Sequence, residues 1–188
     1  MSTRYLAFLR AVNVGGRSMP MVELREELTA LGFTGVGTVI QTGNAYFDAG
    51  RTSRAVITST IESALAERFG FQVPIMLRTC AEVRATIDVS DLSYADGEPV
   101  PDKDHLVMFL DRPVSRQGPW PVSNTRGDVV ITDVVGSAAT ASDAFIELRR
   151  LDGRTPNSAA FVEKQLGVVG TGRWLHTTEQ ILRAAEQA

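Results

Sequence analysis

Two glycines and an arginine, Gly15, Gly16 and Arg17, sit in the stretch "FLRAVNVGGRSMP", Phe8–Pro20. Tyr5 to Val12 is an apolar run of strand length, and a helical pattern begins soon after Pro20. A glycine-rich strand-to-helix turn can present backbone N–H groups to an anion. The spacing is neither GxGxxG nor GxxxxGK[ST], so neither phosphate-loop pattern applies, and glycines also serve any tight turn. Arg10 lies within the first apolar run, so it faces an open sheet side or is buried among acceptors. Asn13 can brace the turn through its amide.

Further along, "IQTGN" places the amides of Gln41 and Asn44 at a hairpin tip. In "GTGRWLHTTEQ", Arg173 stands four residues before Thr177, which reads as a helix cap. An arginine beside the free N–H groups of a helix start suits a phosphate or carboxylate. The bland alternative pairs Arg173 with an acid and leaves Thr177 as a cap only. The candidate ligand-binding set is therefore Arg10, Asn13, Gly15, Gly16, Arg17, Gln41, Asn44, Arg173 and Thr177. No catalytic residue stands out. Glu23, Glu26 and Glu27 read as a solvated helix face.

The rest of the composition removes several function classes. Cys80 is the single cysteine, and His105 and His176 are the only histidines. No CxxC or HxxxH spacing exists, so neither a disulfide nor a metal site is expected. A Cys–His nucleophile is set against Cys80 as a small residue in a helix's first turn. The net charge is −3, and the halves before and after residue 100 carry −2 (9 basic, 11 acidic) and −1 (10 basic, 11 acidic). Nucleic-acid binding rests on clustered positive charge, so a nucleic-acid partner is not expected. The N-terminal apolar run is too short for a signal peptide, and no run is long enough to cross a membrane. A cytoplasmic protein with no membrane partner and no cofactor is expected, and the oligomeric state stays open.

The elements that must position these residues are readable in the periodicity. Met21, Leu24, Leu28 and Leu31 mark one helix face, with Pro20 at the first helical position and Gly32 at the exit. Val36–Gln41 and Ala45–Asp48 read as strands, joined through a Gly43-Asn44 type II′ turn. Ser53 can cap a helix whose apolar face is Ile57, Ile61, Leu65 and Phe69. "QVPIMLR" reads as a fourth strand, giving the β-α-β-β-α-β order of the ferredoxin-like split motif. "TCAE" makes a capping box from Thr79 and Glu82, opening a short helix. Residues 89–104 are polar with Pro and Gly and read as a linker. Beyond them come strands at "HLVMFL", "DVVITDVV" and "AFIELRR". A loop is expected over 112–128, then a helix from Pro156 to Leu166, and a last helix from Thr177 with a second capping box to Gln180. The expected fold is α+β, two ferredoxin-like halves (1–88 and 105–188) with mixed or antiparallel sheets.

The stretch Phe8–Phe47 resembles the bacterial family known as domain of unknown function 1697. Its members open with an LRGINVGG-like strand and turn, then a helix ending near LGF, then a YIQSGNVVF-like hairpin. The matching residues are Leu9, Arg10, Asn13, Val14, Gly15, Gly16, Leu31, Gly32, Phe33, Ile40, Gln41, Gly43, Asn44 and Phe47. The chain departs at Ala11, where the family has glycine, and at Thr42 for serine. The family's C-terminal motif resembles TTRNWNTV; here "TGRWLHTT" keeps Thr171, Arg173 and Thr177 but not the Asn-Trp-Asn centre. The resemblance implies two ferredoxin-like halves and no established activity. The functional expectation is a small anionic ligand or nucleotide held in a polar cleft near the first strand–helix turn, with catalysis left open. The alternative is a non-catalytic interaction or structural module whose polar residues only brace the fold. RNA binding on an open sheet is the weakest reading, because base-stacking aromatics are not evident.

Overall fold

The computed structural model describes residues 2–89, 103–136, 140–150 and 155–188. Two compact units emerge: Met1–Arg84 together with Glu179–Ala188, and Ala85–Thr178. Most of the expected linker, residues 90–102, lies outside the described residues.

The first unit contains β1 (Thr3–Leu9), α1 (Met21–Ala30), β2 (Thr34–Thr38), β3 (Asn44–Ala49), α2 (Arg54–Phe69) and β4 (Ile75–Thr79). Its sheet order is β2-β3-β1-β4, and every pairing is antiparallel. That is the split β-α-β-β-α-β arrangement expected from the periodicity. Side chains alternate across a strand, so Tyr5, Ala7 and Leu9 of β1 share a face with Ala45, Phe47 and Ala49 of β3. Leu24 and Leu28 of α1 and Ile57, Ile61 and Leu65 of α2 complete this core.

The helix ends follow local chemistry. Ser53 accepts from the Val56 N–H at 3.4 Å. At Thr79 the capping box closes both ways: its N–H donates to the Glu82 carboxylate at 2.7 Å, and its hydroxyl accepts from the Glu82 N–H at 3.2 Å. It opens α3 (Cys80–Asp88). Pro20 sits one position earlier than expected, at the cap of α1 rather than inside it. The acids expected to be simply solvated are gathered by one cation instead, since Arg68 of α2 pairs with Glu23, Glu26 and Glu27.

Across β1 and β3, Arg4 and Asp48 are directly opposed in register. They form a two-pronged pair, both contacts at 2.7 Å. A third guanidinium donor reaches the Ala185 carbonyl at 2.7 Å. The guanidinium beside it holds the Asp48 carboxyl below its ordinary range.

The second unit contains β5 (Lys103–Ser115), β6 (Val122–Ser123), β7 (Val129–Gly136), β8 (Thr140–Arg149), α4 (Ala159–Leu166) and β9 (Gly170–Trp174). The last helix, α5 (Leu175–Gln187), begins in it. The sheet order is β6-β7-β8-β5-β9, again antiparallel throughout. Without β6 this is β7-β8-β5-β9, the order of the first sheet. The position of the first helix is taken by residues 116–128, where Pro119 and Pro121 deny the backbone donors a helix needs. A core of Leu106, Met108, Ile131, Ala144, Ile146 and Val162 fills one side of the sheet.

Two expectations for this half are corrected. α4 starts at Ala159, three residues after Pro156. β9 was not expected at all, because two glycines weaken "GTGRW" as a strand. Close packing explains it: a Cβ on Gly170 would lie 2.9 Å from the Met108 side chain, so only glycine lets β9 lie against β5 there. No helix among the described residues is long and apolar enough to cross a membrane.

Candidate functional site

β1 is antiparallel to both neighbours, so its C-terminal end meets the first residues of β3 and β4. The register pairs Phe8 with Asn44 and Leu9 with Ile75. Three loops therefore gather at one end of the first sheet: 10–20, 39–43 and 70–74. Backbone bonds lock them, with Leu9 N–H donating to the Gly43 carbonyl at 2.8 Å and Arg10 N–H to the Pro74 carbonyl at 2.9 Å.

Asn13 is the tie between the first two loops. Its amide nitrogen donates to the Gln41 carbonyl at 2.9 Å and to the Met19 carbonyl at 3.1 Å. Its amide oxygen accepts from the Met19 N–H at 2.7 Å. Asn44 is fully buried and closes the second loop, donating to the Val39 carbonyl at 3.2 Å and the Thr42 hydroxyl at 3.0 Å. Asn44 is thus the first residue of β3 and not a turn residue. The expected two-residue II′ turn is replaced by a five-residue loop, 39–43, because β2 ends at Thr38. The left-handed residues of that loop are Ile40 and Gly43.

The first loop has an unusual backbone. Ala11 and Asn13 have φ of +56° each and Gly15 of +59°, while Val12 and Val14 keep negative φ. Alternation of φ sign turns successive N–H groups towards one concave side, the geometry of an anion-binding nest. Among the described residues, the N–H groups of Gly15 and Gly16 donate to no partner. A Cβ at either glycine would meet nothing within 4 Å, so the space over them is open. Arg17 is exposed, and its guanidinium lies 5.4 Å from the Phe71 ring centroid. That cation–π contact holds the charge of the first loop on the third. Arg10 is half-buried just past the end of β1, not within it, and the Gln41 side chain is exposed.

The remaining candidates belong to the second unit. Arg173 lies in β9 and is buried. It donates to the Thr171 hydroxyl at 2.8 Å and the Gly172 carbonyl at 2.9 Å. Burial pushes its pKa down to about 10, still far above neutrality, so it remains a cation there. Thr177 is not a cap: α5 begins at Leu175, so Thr177 is buried inside the first turn and its box with Gln180 does not form. Cys80 does open a helix, and burial raises its thiol above the ordinary value. A nucleophilic cysteine needs the opposite shift. Among the described residues no group of three His, Cys, Asp or Glu is placed to hold a metal ion.

Ala11 explains itself through its backbone. An L-residue in the left-handed region costs about 1–2 kcal/mol, a cost glycine avoids. Glycine gives back roughly 0.4–1 kcal/mol through the freer unfolded chain. Ala11→Gly should therefore stabilise the protein by about 0.5 kcal/mol in urea denaturation. A measured loss of stability would contradict the strain.

A family model described as protein of unknown function (DUF1697) matches residues 2–130, which contain all three loops. No curated protein matches the sequence. A solved structure of a conserved bacterial protein from Streptococcus pneumoniae is similar at a TM-score of 0.66 and 20% identity, covering 99% of each chain. At that identity the likeness speaks for the fold alone. The family match spans well over half of the chain, and the nest, the Asn13 tie and the Gly43 loop all lie within it: this chain belongs to the DUF1697 family.

Proposed function

We propose that the three-loop end of the first sheet binds a small anionic ligand, most simply one bearing phosphate. The alternating φ from Ala11 to Gly15, open above the two glycines, carries this reading. Arg17 supplies the charge, Arg10 opens the first of these loops, and the Gln41 amide stands in the middle of the second. The roles divide in a way the residue types alone do not convey. Asn13 and Asn44 spend their amides on the fold, whereas backbone N–H groups and cations face the ligand.

That division also favours the second reading, a binding-free brace, because two of the five polar side chains are already committed. Titration calorimetry with inorganic phosphate separates the two. A charge-assisted hydrogen bond contributes about 1.5–3 kcal/mol, so Arg17→Gln should weaken phosphate about 10-fold or more while leaving the protein folded. Arg10→Ala should also lose the thermal shift that phosphate gives. If millimolar phosphate gives the wild type neither heat nor thermal shift, the brace reading stands and the anion reading falls.

A further inference from the structure

Resting on the anion reading, we infer that the ligand is a small organic phosphate whose ester group is apolar and packs between Val14 and Ile40. Among the described residues the large hydrophobic side chains left exposed are Val14, Val22, Ile40, Val56 and Val89. Two of these five lie on the two loops that Asn13 ties together. Val14 follows Asn13 directly, and Ile40 precedes Gln41, whose carbonyl is 2.9 Å from the Asn13 amide. Val14 is 57% exposed and Ile40 44%. An anion cradle flanked by water-facing aliphatic side chains suits an amphiphilic ligand better than a bare ion.

The backbone at Ile40 adds a second observation. Its φ is +51°, the left-handed region that a β-branched residue enters only at a cost. Asn or Gly would fit that position without strain, and either would remove the apolar surface. An exposed isoleucine held there points from strain to use. The occupant is a soluble phosphomonoester and not a lipid surface. A nest of a few N–H groups fits one tetrahedral anion, and a chain of net charge −3 gains nothing from an anionic bilayer.

The test is calorimetry of the full chain with inorganic phosphate, methyl phosphate and phenyl phosphate. Phenyl phosphate should bind about 10-fold more tightly than methyl phosphate, the gain expected from covering two aliphatic side chains. The double variant Val14→Ser, Ile40→Asn should lose that difference. Asn tolerates the φ at position 40, so the double variant should stay folded, with circular dichroism as the control. Inorganic phosphate binding with equal affinity for both esters overturns this inference and leaves the anion reading intact. A phenyl preference that survives in the double variant overturns it too. Sedimentation with phosphatidic acid vesicles, without binding of phenyl phosphate, would assign the rim to a membrane and overturn it as well. If none of the three soluble ligands binds, the anion reading fails and this inference with it.

Discussion

Gly43→Ala should destabilise the protein by about 2–4 kcal/mol. Gly43 has a φ of +73°, where an alanine costs about 1–2 kcal/mol. A Cβ built there would also lie 2.3 Å from Val12 Cγ2 and 2.9 Å from Leu9 Cβ. Leu9 and Val12 are both buried, and Leu9 is bound to the Gly43 carbonyl through its own N–H, so neither can step aside cheaply. Overpacking of this kind costs about 1–3 kcal/mol, offset by roughly 0.4–1 kcal/mol from the stiffer unfolded chain. The neighbouring control is Gly50→Ala, just past β3. Gly50 has no positive φ and open space around it, so that variant should be neutral or slightly stabilised. Urea denaturation of the two variants gives the comparison. A Gly43→Ala protein within about 0.5 kcal/mol of wild type would mean that the 39–43 loop is not packed on Val12 and Leu9. The same variant should weaken phosphate binding, since the loop carrying Gln41 and Ile40 is displaced.

The local signals that proved readable are those whose physics is complete within a few residues. Ser53 caps because a serine before an apolar repeat can satisfy an orphan N–H. Thr79 and Glu82 satisfy each other across three residues. The strand order of the first unit followed from the alternation of strand-length and helix-length apolar patterns. It was enough to bring the Asn13 and Asn44 loops to one sheet end. What failed depends on partners distant in sequence. The glycines of β9 look like a loop until Met108 is placed against them. Thr177 looks like a cap until Leu175, buried in the structure, extends the helix backwards past it. Asn44 resembles a turn residue because its use is tertiary: it is paired with Phe8 and sealed from water. The nest was only half visible. Two adjacent glycines hint at left-handed backbone, but Ala11 and Ile40 adopt it against their own preference, and no residue type announces that. The resemblance came nearest, because a glycine in place of Ala11 is what a φ of +56° asks for.

Asn13→Ala should cost about 3 kcal/mol, a large effect for an exposed residue. The amide makes three hydrogen bonds, at 2.7, 2.9 and 3.1 Å, each contributing about 1 kcal/mol. One of them satisfies the N–H of Met19, which is fully buried and would be left without its acceptor. Alanine must also hold a φ of +56°, which Asn tolerates better than other L-residues. Asn13→Gly isolates these two contributions. It loses the same three bonds yet accepts the backbone angle, so the difference between the variants reads the strain less the roughly 0.4–1 kcal/mol of glycine's freer unfolded chain, and their common loss reads the amide. The pair also addresses the division of roles between brace and ligand. If Asn13 touched the anion directly, phosphate affinity would fall equally in both variants. If it acts by fixing the 10–20 loop against Gln41, affinity should fall further in the glycine variant, whose loop is freer although its fold is less strained. Denaturation and phosphate titration on the same two samples would therefore move in opposite orders. An alanine variant with wild-type stability would show that the loops are held together by their backbone bonds at Leu9 and Arg10, and that the Asn13 tie is incidental.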